Sequence, residues 1–476
     1  MPGALAVTLL GALLPGAGSL WSRRRAGLVI LAVSLTAAAL LALRLRDTQA
    51  LLEFAFDPTR LRWAAALIGL GFVLWAFVVV TTYLMVRPVR RTPARAAGLA
   101  CVIAVVLATA VPIVQGTRSA TAQADLVSTV FGGTEQTATA PRDVSREDPW
   151  GGRDRLGILV LGGDGGEGRT GVRTDTVILL SVDTHSGQAV MFSLPRNLQH
   201  ARFPEASPLH ALYPDGFGGS GDVGNWLLNA VYREVPLLHP GILGESNNEG
   251  ADAIKQAVRA TLGTRVDYYV LVNLAGFKEI VDAMGGVTVN INTPVAIGGD
   301  TDRGIPPDDY LQPGPDQHLD GFQALWFTRG RWGSDDYQRM LRQRCMVQAL
   351  VDRAKPVNLL QHYQALAAAG KEVVYTDIPR ELMPAFVDLG LRMKEHQLRS
   401  VAFTPSADFA PAAPDVAWMQ SVVDRAIDRS MAPRRSGSGG RSAGTSSEDP
   451  SVEDPSVQDP GDSVKVANTC EYRPAG

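Results

Sequence analysis

The sequence predicts a mixed α/β domain, with a central sheet flanked by helices, preceded by an all-α membrane region of three to four transmembrane helices. Three observations lead to this fold class. The first 116 residues contain long apolar runs without charge, residues 153–430 alternate strand-like and helix-like stretches, and a polar tail ends the chain. A chain of 476 residues has room for one large domain and these additional segments.

Four apolar stretches near the N-terminus are long enough to cross a bilayer. The first is interrupted by Pro15, Gly16 and Gly18, which indicates a broken helix or a re-entrant hairpin. A cleaved signal peptide is a weaker interpretation, because Arg23–Arg25 follow the apolar run instead of preceding it. The predicted spans within residues 1–116 are about 4–21, 26–45, 63–86 and 97–116.

The placement of arginine predicts the orientation of these spans. We expect the clusters at Arg23–Arg25 and Arg87–Arg95 in the cytoplasm and the mixed-charge loop 46–62 outside. With three spans or with four, the chain after residue 117 emerges outside the cell. The sequence therefore predicts a multi-pass protein of the cell membrane with an extracytoplasmic C-terminal domain.

The distribution of charge argues against a nucleic-acid partner. Residues 1–116 carry eleven Arg, no Lys and three acidic residues, a net charge of +8. Since the whole chain carries −3, the remaining residues carry −11. An acidic exported region is poorly suited to binding a phosphate backbone through counterion release.

The remaining elements follow in chain order. Residues 117–152 are polar and broken, which is typical of a linker, and residues 153–430 form the predicted extracytoplasmic domain. Strand patterns occur at 156–161, 176–183, 188–194, 266–273, 287–291 and 398–404, and the turn 184–187 joins the second and third as a hairpin. Helix patterns occur at 251–262, which Gly263 ends, after the capping residue Asn273, and near 319–328 and 335–354.

The C-terminal tail, residues 431–476, is predicted to be disordered. Its Ser, Gly, Pro and acidic residues cannot bury a core. The three cysteines show no zinc-binding spacing. In an oxidising compartment Cys345 and Cys470 can pair and attach the tail to the domain; the alternative is two independent thiols.

A glycine-rich loop after the first strand carries candidate metal ligands. The loop, LGGDGGEGRTGVRTDT, contains Asp164, Arg169, Arg173 and Asp175 between two buried strands. Carboxylates at strand ends are ligands for Mg²⁺, and nearby guanidinium groups bind phosphate. The ending of a Walker loop is missing. By composition alone, a plain surface turn is the commoner interpretation.

Two further segments carry candidate anion-binding residues. Arg196 follows a strand in SLPRN, and Arg329 and Arg331 follow the helix near 319–328. On the next helix, three polar residues share one face. They are Asp336, Arg339 and Gln343. If these arginines converge, they form a strong anion site. An exposed basic helix is an equally good interpretation of the same residues.

Taken together, these segments resemble the LytR–CpsA–Psr family over about residues 155–405. The matching pieces occur in the family's order. They are GGD, RTDT, SLPR, LNAVY (228–232), VDYYVLVNLAGFKEIVDAMGGVTVNI (266–291), LDGFQALWFTRGR and D-x-x-R-x-x-RQ (336–343). The resemblance implies an α/β fold with an apolar cavity for a polyprenyl chain and an arginine-rich mouth for its phosphates.

The resemblance also implies a reaction and a role for each residue. The reaction is transfer of a glycopolymer phosphate from a polyprenyl (pyro)phosphate carrier in the membrane lipid to a peptidoglycan hydroxyl. Asp164 and Asp175 would associate with Mg²⁺, or with Mn²⁺. Asp175, Arg196, Arg329 and Asp336 would be catalytic, and Asp336 would orient an arginine or assist the acceptor. The phosphate-binding set would be Arg173, Arg196, Arg329, Arg331, Arg339 and Gln343.

Two departures from the family pattern leave alternatives open. Asn197 stands where the family often has Asp, and many members have one span. Asn197 is the hint for one alternative function, a non-catalytic scaffold that binds lipid phosphate. A polyprenyl pyrophosphatase, in which water replaces the sugar hydroxyl as the acceptor, is a related enzymatic alternative. Transcriptional attenuation is disfavoured, since the sequence contains no helix-turn-helix pattern and no basic face.

Overall fold

This computed structural model describes residues 24–44, 54–86, 93–130, 137–163, 172–301, 303–353, 374–431 and 463–473. The chain divides into two compact units, Met1–Thr129 and Val130–Gly476. The first unit contains the helices α1 (Arg24–Arg44), α2 (Pro58–Val86) and α3 (Pro93–Val130). Val79 and Tyr83 of α2 bury their side chains with Val102 of α3.

The described residues contain two helices that are long and apolar enough to cross a membrane, Pro58–Met85 and Ala96–Asp125. The prediction of three to four spans is therefore wrong for this part of the chain. In α1 the apolar stretch covers Gly27–Thr36, about half of the roughly 20 residues that a hydrocarbon core requires. The predicted span 4–21 lies outside the described residues.

The second unit contains 11 strands and nine helices among its described residues. The strands are β1 (Arg155–Gly163), β2 (Thr174–Asp183), β3 (Ala189–Leu194), β4 (Tyr268–Asn273), β5 (Val287–Ile291), β6 (Val295–Ile297), β7 (Asp309–Leu311), β8 (Gly314–Leu319), β9 (Val374–Thr376), β10 (Arg399–Ala402) and β11 (Val464–Lys465). The helices are α4 (Pro208–Leu212), α5 (Leu228–Leu238), α6 (Glu249–Leu262), α7 (Leu274–Ala283), α8 (Gly321–Arg329), α9 (Asp336–Arg353), α10 (Met383–Met393), α11 (Val416–Met431) and α12 (Val466–Thr469).

Seven strands form a mixed central sheet in the order β11-β10-β3-β2-β1-β4-β9. Strand β1 pairs antiparallel with β2 and parallel with β4, and β3 pairs antiparallel with β2 and parallel with β10. The α/β fold class with a mixed sheet is confirmed. Two small sheets, β5–β8 and β6–β7, lie outside the central sheet.

Alternating apolar residues of the strands divide the core between the two faces of the central sheet. Leu159 and Leu179 point into one core with the helices α5, α6 and α11. Leu156 and Ile178 point into the other, against α10. A third core packs β5 and β8 against α8 and α9. The helix α6 ends at Gly263, whose φ of 67° is a left-handed conformation that glycine adopts without strain.

The predicted linker is more ordered than its composition suggested. Helix α3 continues through residues 117–130. From residue 137 onward the chain is described again: Thr137 Oγ1 donates a hydrogen bond to Asp377 (2.6 Å), and the backbone N–H groups of Ala138 and Thr139 donate to Asp252. Hydrogen bonds to two buried carboxyl groups thus fix the start of the second unit and offset part of the entropy cost of ordering this segment.

The prediction of a disordered tail is wrong for residues 463–473. Strand β11 extends the central sheet at β10, and Cys470 forms a disulfide bond with Cys345 of α9. Asn290 of β5 donates to the carbonyl of Cys470 (2.9 Å). The segment is ordered here because main-chain pairing, the disulfide bond and the burial of Val466 in the core beside α10 act together. The remaining residues of the predicted tail lie outside the described residues.

Candidate functional site

The sheet topology brings the candidate residues of the main sheet to one edge. Strands β1, β3 and β4 run in the same direction, so their C-terminal ends meet the N-terminal end of β2. Val177 of β2 pairs with Leu194 of β3, and continuing this register by two residues places Asp175 opposite Arg196. Residues 21 positions apart in the sequence thus become neighbours through the β2–β3 hairpin.

Arg196 is the central residue of the site. Its Nη1 donates to Asp175 Oδ1 (2.9 Å), and its Nε donates to Asp336 Oδ2 (2.9 Å). One planar guanidinium group therefore joins a carboxylate of the central sheet to a carboxylate at the start of α9. This use of two separate edges is available to arginine and not to lysine.

Asp336 also contacts two further arginines. Its Oδ1 lies 3.0 Å from Arg339 Nη1 and 3.7 Å from Arg331 Nη1. Arg339 is almost fully buried and its Nη2 also contacts the backbone carbonyl of Asp175 (3.4 Å). Asp336 thus holds three guanidinium groups in place and so has the geometry of an orienting residue.

The charges of this cluster do not cancel. Three guanidinium groups, of Arg196, Arg331 and Arg339, lie against the two carboxylates of Asp175 and Asp336, and a fourth, of Arg329, lines the same cavity as Asp175. The excess of two positive charges is partly withdrawn from water, where charge interactions are stronger than on an open surface. The cluster therefore has the composition of an anion-binding site.

The ionisation of Asp175 reflects this environment. Burial raises the pKa of its carboxyl, but the charges of Arg196 and Arg339 and the hydrogen bonds from Arg196 and Asn229 together outweigh burial. The pKa of Asp175 consequently lies below its ordinary value, and the side chain is a carboxylate at neutral pH. For Arg196, burial lowers the pKa, whereas Asp175 and Asp336 raise it above the ordinary value.

An apolar cavity of about 210 Å³ opens next to the arginines. It lies between one face of the central sheet and the helices α7, α8 and α9. Arg329, Arg339 and Gln343 line it together with Asp175. Its apolar lining includes Val160, Ile178, Val272, Phe277, Leu325, Met346 and Leu350. A charged mouth joined to an apolar cavity suits an amphiphile that carries an anionic head group.

Arg329 and Gln343 lie at the wall of this cavity. The guanidinium carbon of Arg329 is 5.4 Å from the centroid of the Trp326 ring, a cation–π contact. Gln343 Nε2 lies 3.4 Å from the carbonyl oxygen of Thr328. Arg173 lies beside the cluster, where its Nη2 donates to Asn225 Oδ1 (2.9 Å). Asp164 lies outside the described residues, within which no three His, Cys, Asp or Glu side chains group together as metal ligands.

Helix α5 adds residues that the sequence did not reveal. Asn229 Nδ2 donates to Asp175 Oδ1 (3.2 Å), and Arg233, one helical turn later, donates to Asn225 Oδ1 (3.2 Å). Arg173 and Arg233 thus converge on one amide oxygen, and Glu234 pairs with Arg233. The motif LNAVYR contains the necessary signal, because positions 229 and 233 share one face of a helix.

Arg342 is a second missed residue. Its Nε donates to the carbonyl of Phe327 (2.7 Å), and its Nη2 bonds the carbonyl of Gly330. These contacts fix the end of α8 and the turn that carries Arg329 and Arg331. Burial and the neighbouring charge of Arg339 lower the pKa of Arg342 to about 10, so it remains charged at neutral pH.

Asn197 follows Arg196 in the chain but takes no part in the ion pairs of the cluster. Its side chain hydrogen-bonds to Tyr337, whose pKa is raised mainly by burial. The Oδ1 atom of Asn197 is buried and has no hydrogen-bond partner among the described residues. An amide at this position therefore adds no negative charge to the site.

Comparisons with known proteins agree on one family. A model described as the LytR_cpsA_psr family matches residues 127–409. Polyisoprenyl-teichoic acid–peptidoglycan teichoic acid transferase TagU of Enterococcus faecalis is 28% identical over 231 residues, which are 48% of this chain and 62% of that protein. Cell wall biosynthesis protein LcpA of Corynebacterium glutamicum is 28% identical over 214 residues, 42% of this chain and 36% of that protein. The chain thus spans between about one third and two thirds of these relatives.

Among solved structures, B. subtilis TagV is one that this chain matches. It is 22% identical to this chain with a TM-score of 0.40, and the match covers 57% of this chain and 96% of TagV.

Proposed function

Because the chain belongs to the LytR–CpsA–Psr family, we propose that it is a membrane-anchored phosphotransferase that moves a glycopolymer from a polyprenyl (pyro)phosphate carrier to peptidoglycan. The observation that carries the proposal is the bridge from Asp175 through Arg196 to Asp336 at the mouth of the apolar cavity. The positive mouth suits the phosphates, and the cavity suits the polyprenyl chain.

The reaction follows from this arrangement. Arg196, Arg329, Arg331 and Arg339 bind the two phosphates and stabilise the charge that builds up between them. An acceptor hydroxyl of peptidoglycan attacks the phosphorus that carries the sugar. The bond from this phosphorus to the bridging oxygen breaks, polyprenyl phosphate leaves, and the hydroxyl proton passes to solvent. Phosphoryl transfer depends on alignment more than on a strong base, so the carboxylates act mainly by orienting arginines.

The residues present fit a divalent cation at Asp175. Both side-chain hydrogen bonds to Asp175 from described residues use Oδ1, so Oδ2 is the oxygen that remains for a cation. The carboxylate is 39% exposed, which gives a hydrated ion access. Mg²⁺, or Mn²⁺ in its place, would neutralise phosphate charge there. Asp164 is proposed as the second carboxylate.

A membrane anchor fits this substrate. The polyprenyl carrier resides in the bilayer, and α2 and α3 are long and apolar enough to cross one. The multi-pass arrangement and the extracytoplasmic location of the second unit are parts of the same proposal, and they place the enzyme where peptidoglycan lies.

The second candidate is a polyprenyl pyrophosphatase, with water as the acceptor. The exposure of Asp175 favours it, because solvent reaches the centre. Asn197 favours the third candidate, a binding scaffold, since this position supplies no carboxylate.

One experiment separates the candidates. The full chain in detergent micelles is supplied with a short-chain polyprenyl diphosphate that carries N-acetylglucosamine, with Mg²⁺ or with EDTA, and with or without peptidoglycan fragments. We expect release of polyprenyl phosphate that requires Mg²⁺ and rises with the peptidoglycan acceptor. Release of polyprenyl phosphate at the same rate with and without the peptidoglycan acceptor would indicate a pyrophosphatase. Binding of the lipid diphosphate without any release would indicate a scaffold. Arg425→Lys, which changes an exposed arginine of α11, is the control variant and should give the same release as the wild type under every condition.

A further inference from the structure

Two aromatic side chains of α8 form an exposed ridge beside the arginine cluster. Phe322 is 45% exposed, and Trp326 is half-buried. Their ring centroids lie 6.4 Å apart in an edge-to-face arrangement. The guanidinium carbon of Arg329 lies 5.4 Å from the centroid of the Trp326 ring. We call Phe322 and Trp326 the aromatic ridge.

The ridge is separate from the core that holds α8 in place. Ala324 and Phe327 of this helix are buried in the core shared with β5 and β8. Leu325 faces the apolar cavity. Phe322, Trp326 and Arg329 have the spacing i, i+4 and i+7, so they form one stripe along the helix that ends at the cavity mouth. One exposed aromatic residue is ordinary. Here two aromatic rings are aligned with Arg329, an arrangement that suits a ligand with an apolar face next to a phosphate.

We propose that the aromatic ridge is a saccharide subsite, in which Trp326 packs against the apolar face of the first sugar of the donor. The inference rests on the proposed function, which places the phosphates at the arginines. The sugar is joined to its phosphate by a single ester link, so it must lie within one sugar ring's width of the arginine that holds that phosphate. The Trp326 ring occupies that space beside Arg329.

The chemistry of a sugar ring matches this surface. One face of a pyranose presents C–H groups, which are slightly positive, and the face of an indole carries negative charge. Contact between them excludes water without burying an unpaired polar group, since the sugar hydroxyls point to the sides and remain solvated. The edge-to-face contact with Phe322 places a second aromatic ring next to the indole and lengthens the apolar surface available to a saccharide.

The test compares two probes on the full chain in detergent micelles. The first is a short-chain polyprenyl diphosphate that carries one N-acetylglucosamine, and the second is the same lipid diphosphate without the sugar. With water as acceptor, the first yields polyprenyl phosphate and sugar phosphate, and the second yields polyprenyl phosphate and inorganic phosphate. The readout is the ratio of kcat/KM for the two probes, from which any shared effect on Arg329 cancels.

We expect Trp326→Leu to lower this ratio roughly three- to tenfold, the range of a well-formed aromatic contact. Trp326→Tyr keeps an aromatic face and should restore most of the ratio, and Phe322→Leu should lower it less than Trp326→Leu does. An unchanged ratio in Trp326→Leu would overturn the subsite. Equal losses on both probes would show that Trp326 only positions Arg329. Equal losses accompanied by weaker binding to vesicles of anionic phospholipid would assign the ridge to the membrane.

Failure of the proposed function would be recognised separately. If the wild-type chain hydrolyses neither probe, calorimetric titration with N-acetylglucosamine 1-phosphate and with inorganic phosphate replaces turnover. A preference for the sugar phosphate that Trp326→Leu abolishes would support the subsite without catalysis. The same affinity for both ligands would overturn it.

Discussion

Arg196 donates a hydrogen bond to Asp336 (2.9 Å) across 140 residues of sequence. This contact joins the central sheet to α9, and through α9 to the wall of the apolar cavity. The two halves of the candidate centre therefore depend on one guanidinium group for their relative position.

Arg196→Lys tests this dependence. A lysine ammonium cannot donate to Asp175 and Asp336 from two edges of a plane, so the carboxylates lose their common partner. We expect kcat to fall by about 10²–10³, the range for loss of a group that stabilises transition-state charge. Turnover of the lipid diphosphate probe and thermal unfolding are the measurements. Wild-type turnover in Arg196→Lys would remove Arg196 from the centre; Arg425→Lys should change neither quantity.

The pH dependence follows from the lowered pKa of Asp175. Its ionised form contributes stability that is present above the ordinary carboxyl pKa, near 3.9, and is lost as the pH falls through the lower folded value. Asn229→Leu removes one of the hydrogen bonds that lower this pKa. We therefore expect the acid limb of the kcat/KM profile to move to higher pH in this variant.

Asn292→Ala, which removes an exposed side chain that donates to the carbonyl of Glu471, serves as the control and should leave the acid limb in place. A shift of the Asn229→Leu limb to lower pH, or no shift, would contradict the role given to Asn229.

Arg342→Met should affect substrate binding and stability together. Removing the buried guanidinium group leaves the carbonyls of Phe327 and Gly330 without their donor, at a cost of about 1–3 kcal/mol in the free energy of unfolding. Because the freed turn carries Arg329 and Arg331, we expect KM for the lipid diphosphate probe to rise as well.

Arg353→Met is the matched control on the same helix. Arg353 donates to the carbonyls of Met284 (3.0 Å) and Gly285 (3.3 Å), at the end of α7. Its loss should lower the melting temperature with KM unchanged. If KM responds equally in both variants, Arg342 has no special role in positioning the site.

Cys470→Ser should destabilise the second unit. The disulfide bond with Cys345 closes a loop with a sequence separation of 125 residues, and loss of such a cross-link typically costs roughly 2–5 kcal/mol. We expect a lower melting temperature, and the same decrease in the wild type after reduction. Cys101→Ser, which removes the free cysteine of α3, should behave like the wild type. An unchanged melting temperature in Cys470→Ser would contradict a structural role for the cross-link.

The main strands, the long helices and the fold class could be predicted from the sequence because their apolar periodicity is strong. Arg342 could not be recognised, since a buried arginine and an exposed one have the same letter and α9 resembles a basic surface helix. Asn225 ends a single 3-10 turn (Val223–Asn225), which is too short to give a periodic signal. Strand β11 was missed because two residues in a polar tail acquire their order from pairing with β10, a long-range contact that local composition does not encode.

The hairpin that places Asp175 opposite Arg196 has a consequence for the order of folding. Its closing turn spans a few residues, so this half of the centre assembles from a local contact with little loss of chain entropy. Asp336 must arrive from 140 residues away, after α9 has formed and docked. We therefore expect the acid–guanidinium pair of the hairpin to form earlier in folding than the part of the cavity wall that α9 supplies.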